Sequence, residues 1–187
     1  MQSTAHSFHG QFLVSMPDLK DSFFDSTLVL MCEHSAEGAM GFVVNKQTEF
    51  SVKEIFAQLG IEDGVRLDEE IPVMSGGPVE PQRGFLLLNY PITDDVVEVL
   101  DGLYLASSPD VLPLAVDDLN DGNALFVLGY SGWSANQLEH EFQGNAWLNV
   151  PWDADIIFQI PSADRQRAAL AQLGIDPVQL SQGVGHA

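Results

Sequence analysis

Residues 27–45, TLVLMCEHSAEGAMGFVVN, hold two apolar runs that only four residues separate. The runs cover 27–34 and 39–45, and their apolar and β-branched side chains favour strands. The connection, Ser35-Ala36-Glu37-Gly38, is short and contains glycine. The pattern therefore predicts an antiparallel β-hairpin over 27–45.

Further strands are predicted on both sides of this hairpin. They cover 12–16, 71–75, 83–89, 96–100, 103–106, 124–128, 146–150 and 156–160. Asp101-Gly102, between two of these runs, is typical of a two-residue hairpin turn.

Capping signals mark the helices. Ser51 is followed three residues later by Glu54, a capping box, and Gly60 stands where a helix ends. Ser134 with Gln137 predicts a second helix start of the same kind. Other helices are predicted from Ser108 and from Ser162, the last one ending at Gly174. Hairpins mixed with strand–helix alternation predict a mixed α/β (α+β) fold, a curved mixed sheet with helices outside it.

The length of 187 residues predicts one domain, 1–187, or one domain with a smaller lobe. A hydrophobic content of 45% is that of a soluble globular protein rather than a disordered one.

The charge balance excludes two classes of partner. The chain has 27 acidic and 7 basic residues, a formal net charge of −20. Binding to DNA or to an anionic membrane surface requires clustered Lys or Arg. We expect neither, and the excess charge favours solubility.

The sequence predicts a cytoplasmic location. The single cysteine, Cys32, leaves no internal disulfide, which fits a reducing compartment. The N-terminal residues 1–10 lack the basic and apolar regions of a signal peptide. No apolar run approaches the roughly 18 residues of a membrane helix.

Cys32, Glu33 and His34 lie at the end of a predicted strand. Alternation places Cys32 and His34 on one face, where they would form part of a metal or redox site. The remaining ligands would have to come from acids or from the other histidines, so we favour a structural Cys32. Those histidines are His6, His9, His140 and His186.

Residues 129–133, GYSGW, follow a buried-type strand and precede a predicted helix. This is the context of a nucleophile elbow, but Trp133 stands where that motif needs its last glycine, so a Ser131 hydrolase is not expected. The first N–H groups of the helix predicted at Ser134 offer a place for a small anion. The alternative is that Ser134 and Gln137 already satisfy those donors.

The Gly76-Gly77-Pro78-Val79 turn is the second glycine-rich segment. Two of the few cations lie beside such features, Lys46 at a strand end and Arg83 after the turn. We expect the turn and Arg83 to lie near residues 130–133 or near Glu33 and His34, and to form one polar cleft with them. The alternative is that each cation only balances a neighbouring carboxylate.

The order of these motifs resembles the YqgE/AlgH family of bacteria over nearly the whole chain. Ser35 and Asp25 stand where relatives commonly have asparagine and arginine. The matching segments are 16–17 (MP), 31–34 (MCEH), 38–41 (GAMG), 44–46 (VNK), 76–79 (GGPV), 83–85 (RGF), 129–133 (GYSGW), 137–139 (QLE), 145–148 (NAWL), 173–176 (LGID) and 185–187 (GHA).

The resemblance implies a curved, bifurcated sheet folded into a pseudo-barrel and flanked by helices. It implies no reaction, although some relatives are named as transcriptional regulators of alginate synthesis. Since no basic helix-turn-helix is present, any such regulation is expected to be indirect.

We therefore expect a non-enzymatic regulatory or binding module that acts through a protein partner or a small polar ligand, without cofactor, metal or catalytic residues. The alternatives are an enzyme acting on a small phosphorylated or carboxylated metabolite, and a Cys/His metal or redox site. The candidate ligand-binding residues are Glu33, His34, Asn45, Lys46, Gly76, Gly77, Arg83, Tyr130, Gly132, Trp133 and Gln137.

Overall fold

The computed structural model describes residues 7–20, 22–61, 66–68 and 70–182, except for the side chains of 181 and 182. The strands in these residues are β1 (Gln11–Ser15), β2 (Leu28–Ser35), β3 (Gly38–Val43), β4 (Gln47–Ser51), β5 (Pro72–Ser75), β6 (Val79–Leu88), β7 (Val97–Leu100), β8 (Leu103–Ala106), β9 (Ala124–Ser134) and β10 (Trp147–Pro151). The helices are α1 (Val52–Gln58), α2 (Val116–Asp121), α3 (Gln137–Gln143), α4 (Ala154–Phe158), α5 (Arg165–Gln172) and α6 (Pro177–Gln182). Short 3-10 helices cover Pro17–Leu19, Pro109–Ala115 and Ser162–Asp164.

The strands form one curled sheet, a half-barrel flanked by the helices. Its order is β10-β1-β2-β3-β9-β6-β8-β7, with β4 paired to β5 and β5 paired to β9. Only the β5–β9 pairing is parallel among the described strands. The predicted hairpin is confirmed as β2 and β3, which pair up to Ser35 and Gly38. The expected mixed fold with a curved, bifurcated sheet is confirmed as well.

The sheet divides along β9. Residues 126–128 of this strand pair with β5, whereas residues 131–134 pair with β3. β6 runs along the opposite edge of β9. Because β9 continues to Ser134, the GYSGW segment lies within a strand, and its prediction as a strand-to-helix turn is wrong.

Alternating residues of the strands fill separate cores. Leu28 and Leu30 of β2 point into the largest core, which α4 and α5 close, whereas Val29 and Met31 pack with α3. In β6, Phe85 and Leu87 enter the largest core, and Leu86 and Leu88 pack under α1 and α2. Strands buried on both faces are hydrophobic throughout, which explains the apolar runs in the sequence.

Two predicted elements are wrong for local reasons. Residues 156–160 were expected as a strand but lie largely in α4, which Asp153 caps by accepting a hydrogen bond from the Asp155 N–H. A five-residue apolar run does not distinguish the two structures. The helix expected from Ser134 begins at Gln137, with Asn136 at its N-cap. The Gln137 side chain accepts a hydrogen bond from the Ser134 N–H at 3.0 Å, so this pair forms a turn rather than a helix start.

Candidate functional site

A polar cavity of about 690 Å³ lies beside the turn of the β2–β3 hairpin. Glu33, His34 and Trp133, three of the predicted site residues, line it together with His9 and Glu37. The alternation of β2 brings Cys32 into the largest core with Leu28 and Leu30. A β-bulge between Met31 and Glu33 then resets the alternation, so His34 packs against Phe8 instead. The prediction that Cys32 and His34 share a face is therefore wrong.

Both ring nitrogens of His34 have partners. The Phe8 N–H donates to Nδ1 at 2.9 Å, and Nε2 lies 2.7 Å from Oε1 of Glu139 on α3. Since Nδ1 accepts, the proton of the neutral ring is on Nε2, which donates to the carboxylate. Because both ring nitrogens already have partners and the side chain is only 5% exposed, neither nitrogen is left for a ligand.

Glu139 is held in its charged form. Partial burial raises its pKa, but hydrogen bonds from its own backbone N–H and from His34 outweigh burial and leave the pKa below its ordinary value. On the same helix, Glu141 accepts from the indole N–H of Trp133 at 3.0 Å and of Trp147 at 2.7 Å. These contacts fix α3 against β9 and β10, the two strands that precede and follow it in the chain.

Cys32 is a buried free thiol. Burial, with a smaller contribution from the Glu33 charge, raises the pKa of this thiol to about 12. A thiol protonated at neutral pH is a poor nucleophile and a poor metal ligand, which supports a structural role. Among the described residues, no three His, Cys, Asp or Glu side chains are placed to hold a metal ion. His6 and His186 lie outside the described residues.

The two glycine-rich segments meet backbone to backbone. A Cβ on Gly76 would lie 2.4 Å from the carbonyl oxygen of Gly129, and a Cβ on Gly77 would lie 2.1 Å from that of Tyr130. The Ser131 hydroxyl is fully buried and donates to the Gly76 carbonyl at 3.0 Å. The expected proximity of these segments is thus found, but their glycines admit the neighbouring strand rather than a ligand.

Asn45 and Lys46 are also occupied by the fold. The Asn45 side chain accepts from the Leu28 N–H at 2.8 Å and donates to the Ser26 carbonyl at 2.9 Å. The Lys46 ammonium donates to the Phe23 carbonyl at 3.1 Å. Both side chains tie the end of β3 to the segment that leads into β2.

Arg83 lies in a bulged part of β6. Val79 pairs with Tyr130 and Gly84 with Leu128, so four residues of β6, 80–83, stand opposite Gly129 alone. Pro81 has no N–H for the ladder, which explains why the strand bulges here. The bulge holds Arg83 over the ring of Phe85, with 5.0 Å from its guanidinium carbon to the ring centroid. Arg83 also pairs with Glu80 at 3.3 Å, and both side chains are half exposed.

The bulge forms one wall of a second cavity, the apolar cleft, of about 680 Å³. Its floor is buried and apolar, with Leu86, Phe126 and Leu112 among its residues. Phe50 and Leu59 line it from the end of β4 and the end of α1 and remain about half exposed, at 43% and 51%. The remaining lining residues are Ile55, Gln58, Pro81, Gln82, Arg83, Gly84, Phe85, Ala106, Ser107, Ser108, Pro109 and Leu128.

The predicted site residues therefore do not share one cavity. Arg83 lines the apolar cleft, whereas Glu33, His34 and Trp133 line the polar cavity. The expectation of a single polar cleft is wrong because the bulge places Arg83 over Phe85, where it lines the apolar cleft rather than the polar cavity. Tyr130 is half-buried and packs beside Phe85, and Gly132 is exposed further along β9. The Gln137 side chain is hydrogen-bonded to Ser134 and Glu141. That any of these residues binds a ligand remains a prediction.

Sequence reasoning missed the apolar cleft and the buried Arg165. Arg165 donates to the carbonyls of Val44 at 2.6 Å, Ile157 at 2.9 Å and Ile160 at 3.0 Å. Burial lowers its pKa to about 10. No sequence signal marks it, since Val44 is 121 residues away.

Within the described residues, no helix is long and apolar enough to cross a membrane.

Comparison with known proteins gives a consistent result. The family model described as AlgH-like matches residues 12–178. A UPF0301 protein of Bordetella petrii is 42% identical over 184 residues, which cover 98% of this chain and 91% of that protein. A UPF0301 protein of Nitrosospira multiformis is 41% identical, with 100% of both chains covered.

Solved structures resemble the chain over nearly its full length. The solution structure of the AlgH protein of Pseudomonas aeruginosa matches with a TM-score of 0.75 and 34% identity, over 100% of both chains. A Corynebacterium diphtheriae protein, DIP2367, shares the fold with a TM-score of 0.68 at 17% identity, over 97% of this chain and 93% of that one. With its family model, its sequence relatives and its fold in agreement, the chain belongs to the AlgH-like, or UPF0301, family.

Proposed function

We propose that the protein is a binding or regulatory module, without a reaction of its own, and that its partner molecule occupies the apolar cleft. The observation that carries this proposal is the cleft itself, about 680 Å³ with a buried apolar floor and half-exposed Phe50 and Leu59 at its rim. Ligand sites are typically concave, mostly apolar cavities of roughly 300–1,000 Å³ with few polar groups.

The lining of the cleft argues against catalysis there. Arg83 is the only ionisable side chain among the described residues that line it. General acid–base chemistry needs a group that titrates near the working pH, and arginine does not. The described lining places no base beside Ser107 or Ser108 that would activate either as a nucleophile.

The cleft also changes the kind of partner expected. Its apolar floor suits a molecule that presents apolar groups better than a small polar ligand. With a net charge of −20, any effect on transcription would pass through such a partner rather than through contact with DNA.

A neutral fluorescent probe tests the proposal. N-phenyl-1-naphthylamine should bind the native protein with a blue-shifted emission, and Phe50→Gln should weaken its binding about tenfold by removing apolar contact at the rim. Val97→Gln is the control, because Val97 is also an exposed apolar side chain, at 61% against 43% for Phe50, and stands on the edge strand β7 outside the cleft. If the probe does not bind, or if both variants weaken it equally, the cleft is not the site.

A further inference from the structure

We propose that the ligand of the apolar cleft is an amphiphilic monocarboxylate, with its apolar part against the cleft floor and its carboxylate on Arg83. This inference rests on the proposed function, because it names the chemistry of what the cleft binds.

Of the described residues that line the cleft, Arg83 alone carries a charge. Its guanidinium lies 5.0 Å from the ring centroid of Phe85, a buried residue that contributes to the largest core and also lines the cleft. A cation stacked on an aromatic face keeps its N–H groups directed outward along the plane, where a carboxylate can accept two of them.

Most N–H groups of the Arg83 guanidinium have no hydrogen-bond acceptor among the described residues. Of its five N–H groups, one donates to Glu80, at 3.3 Å, among the residues that the structure describes. That ion pair joins two half-exposed side chains three residues apart, and such pairs contribute little. An entering carboxylate therefore has to displace only a weak partner.

The backbone fixes where this group stands. Glu80 has a positive φ of 44°, and Gly129 opposite it has a φ of 72°. A Cβ on Gly129 would lie 3.1 Å from the Cα of Pro81, so the bulge is packed against β9 and cannot relax inward. The backbone from which Arg83 projects is thus held in place, and its half-exposed side chain is what a ligand has to order on binding.

Charge selects the headgroup. The chain carries a net charge of −20, and the described lining of the cleft contains one cation. A phosphate with nearly two negative charges would meet more repulsion without a second cation to neutralise it. A single carboxylate matches the guanidinium in charge and in geometry.

Displacement of N-phenyl-1-naphthylamine by three ten-carbon amphiphiles tests the headgroup: decanoate, decyltrimethylammonium and neutral decyl maltoside. Decanoate should displace the probe at the lowest concentration. Arg83→Met, which keeps the apolar stem over Phe85, should weaken decanoate roughly tenfold and leave decyl maltoside unchanged. Glu80→Gln should tighten decanoate roughly two- to fivefold, since it removes the competing carboxylate.

Arg167 and Asp164 provide matched controls, because they form the same kind of exposed pair three residues apart, at 3.8 Å, outside the cleft. Arg167→Met changes the net charge by the same amount as Arg83→Met, and Asp164→Asn by the same amount as Glu80→Gln. Both control variants should leave decanoate binding unaltered. Equal affinity for the three amphiphiles, a preference for decyltrimethylammonium, or an unaltered decanoate affinity in Arg83→Met would overturn the carboxylate while leaving the cleft as a site. Absence of probe binding to the wild type would instead overturn the proposed function, and this inference with it.

Discussion

The same five residues, AQLGI, stand at the ends of two helices, at 57–61 for α1 and at 171–175 for α5. Their backbones are closely alike: Gly60 and Gly174 have φ of 73° and 70°. Each glycine N–H donates to the alanine carbonyl three residues earlier, and each isoleucine N–H donates to the carbonyl five residues earlier. This is the Schellman motif, formed twice from one local sequence.

The two copies differ in everything that lies beyond the cap. Ile61 packs onto the core under α1 and α2, whereas Ile175 packs onto the largest core. Leu59 lines the apolar cleft, and Leu173, exposed to a similar degree, does not. Identical sequence therefore produced identical local structure, and the surrounding sheet decided which copy faces a cavity.

The beginnings of the two helices differ as well. Ser51 caps α1 through a complete capping box with Glu54. The position that corresponds to Ser51, counted back from AQLGI, is Arg165 in α5, whose guanidinium is buried among backbone carbonyls. One helix start is held by bonds within its own first turn, and the other by bonds to carbonyls outside the helix, one of them 121 residues away.

Arg165→Met should give the largest effect. It leaves the carbonyls of Val44, Ile157 and Ile160 without a donor, and we expect a loss of about 3 kcal/mol in the free energy of unfolding. Urea denaturation followed by tryptophan fluorescence measures it. A loss below that of Ser51→Ala would show that the burial of this charge costs as much as its bonds contribute.

Gly60→Ala and Gly174→Ala should each destabilise the protein by about 1.5 kcal/mol, because an L side chain is strained at their φ. Within the part of the chain that the structure describes, a Cβ at either position has no non-neighbouring atom within 4 Å, so the two losses should agree within about 0.5 kcal/mol. Asparagine at the same positions should cost less. Clearly unequal losses in urea would mean that the caps are not locally determined.

Ser51→Ala should cost about 1 kcal/mol, since it removes an acceptor for the Glu54 N–H. Asp164→Ala is the comparison, because Asp164 stands at the N-cap of α5 without a side-chain capping bond. We expect that variant to change stability by less than about 0.5 kcal/mol. Similar losses would contradict the difference between the two helix starts.

Leu59→Gln and Leu173→Gln should have the smallest effects on stability, within about 0.5 kcal/mol, because both side chains are about half exposed. Their effects on the cleft should differ: only Leu59→Gln should weaken N-phenyl-1-naphthylamine, by roughly threefold. An equal reduction of probe affinity in both variants would show that the probe does not bind in the cleft.

These comparisons also show what the sequence can predict. The capping box at Ser51 and the ends at Gly60 and Gly174 were predicted correctly, because all their bonds are local. The helix start expected at Ser134 was wrong, because β3 pairs with β9 as far as that residue.

The candidate site was less predictable for the same reason. The β-bulge after Met31 redirects His34, and only pairing with β3 reveals it. The apolar cleft draws its walls from α1, β6, β9 and the 109–115 helix, which approach one another only in the folded sheet. The sequence singles out Arg83 as a rare cation near a glycine turn, but its contacts with Phe85 and with the cleft follow only from the folded sheet.

The central place of β9 has a consequence for how the protein is made. This strand pairs with β3, β5 and β6, yet 123 residues precede it. At roughly 5–20 residues per second, synthesis takes roughly 6–25 s before the strand exists. Until then, β3 and β6 lack the strand with which they pair in the folded protein, and their hydrophobic edges are unpaired. The partner of β1, β10, is made later still. The nascent chain is therefore exposed to aggregation until β9 has been made, and the sheet is completed only once β10 has followed it.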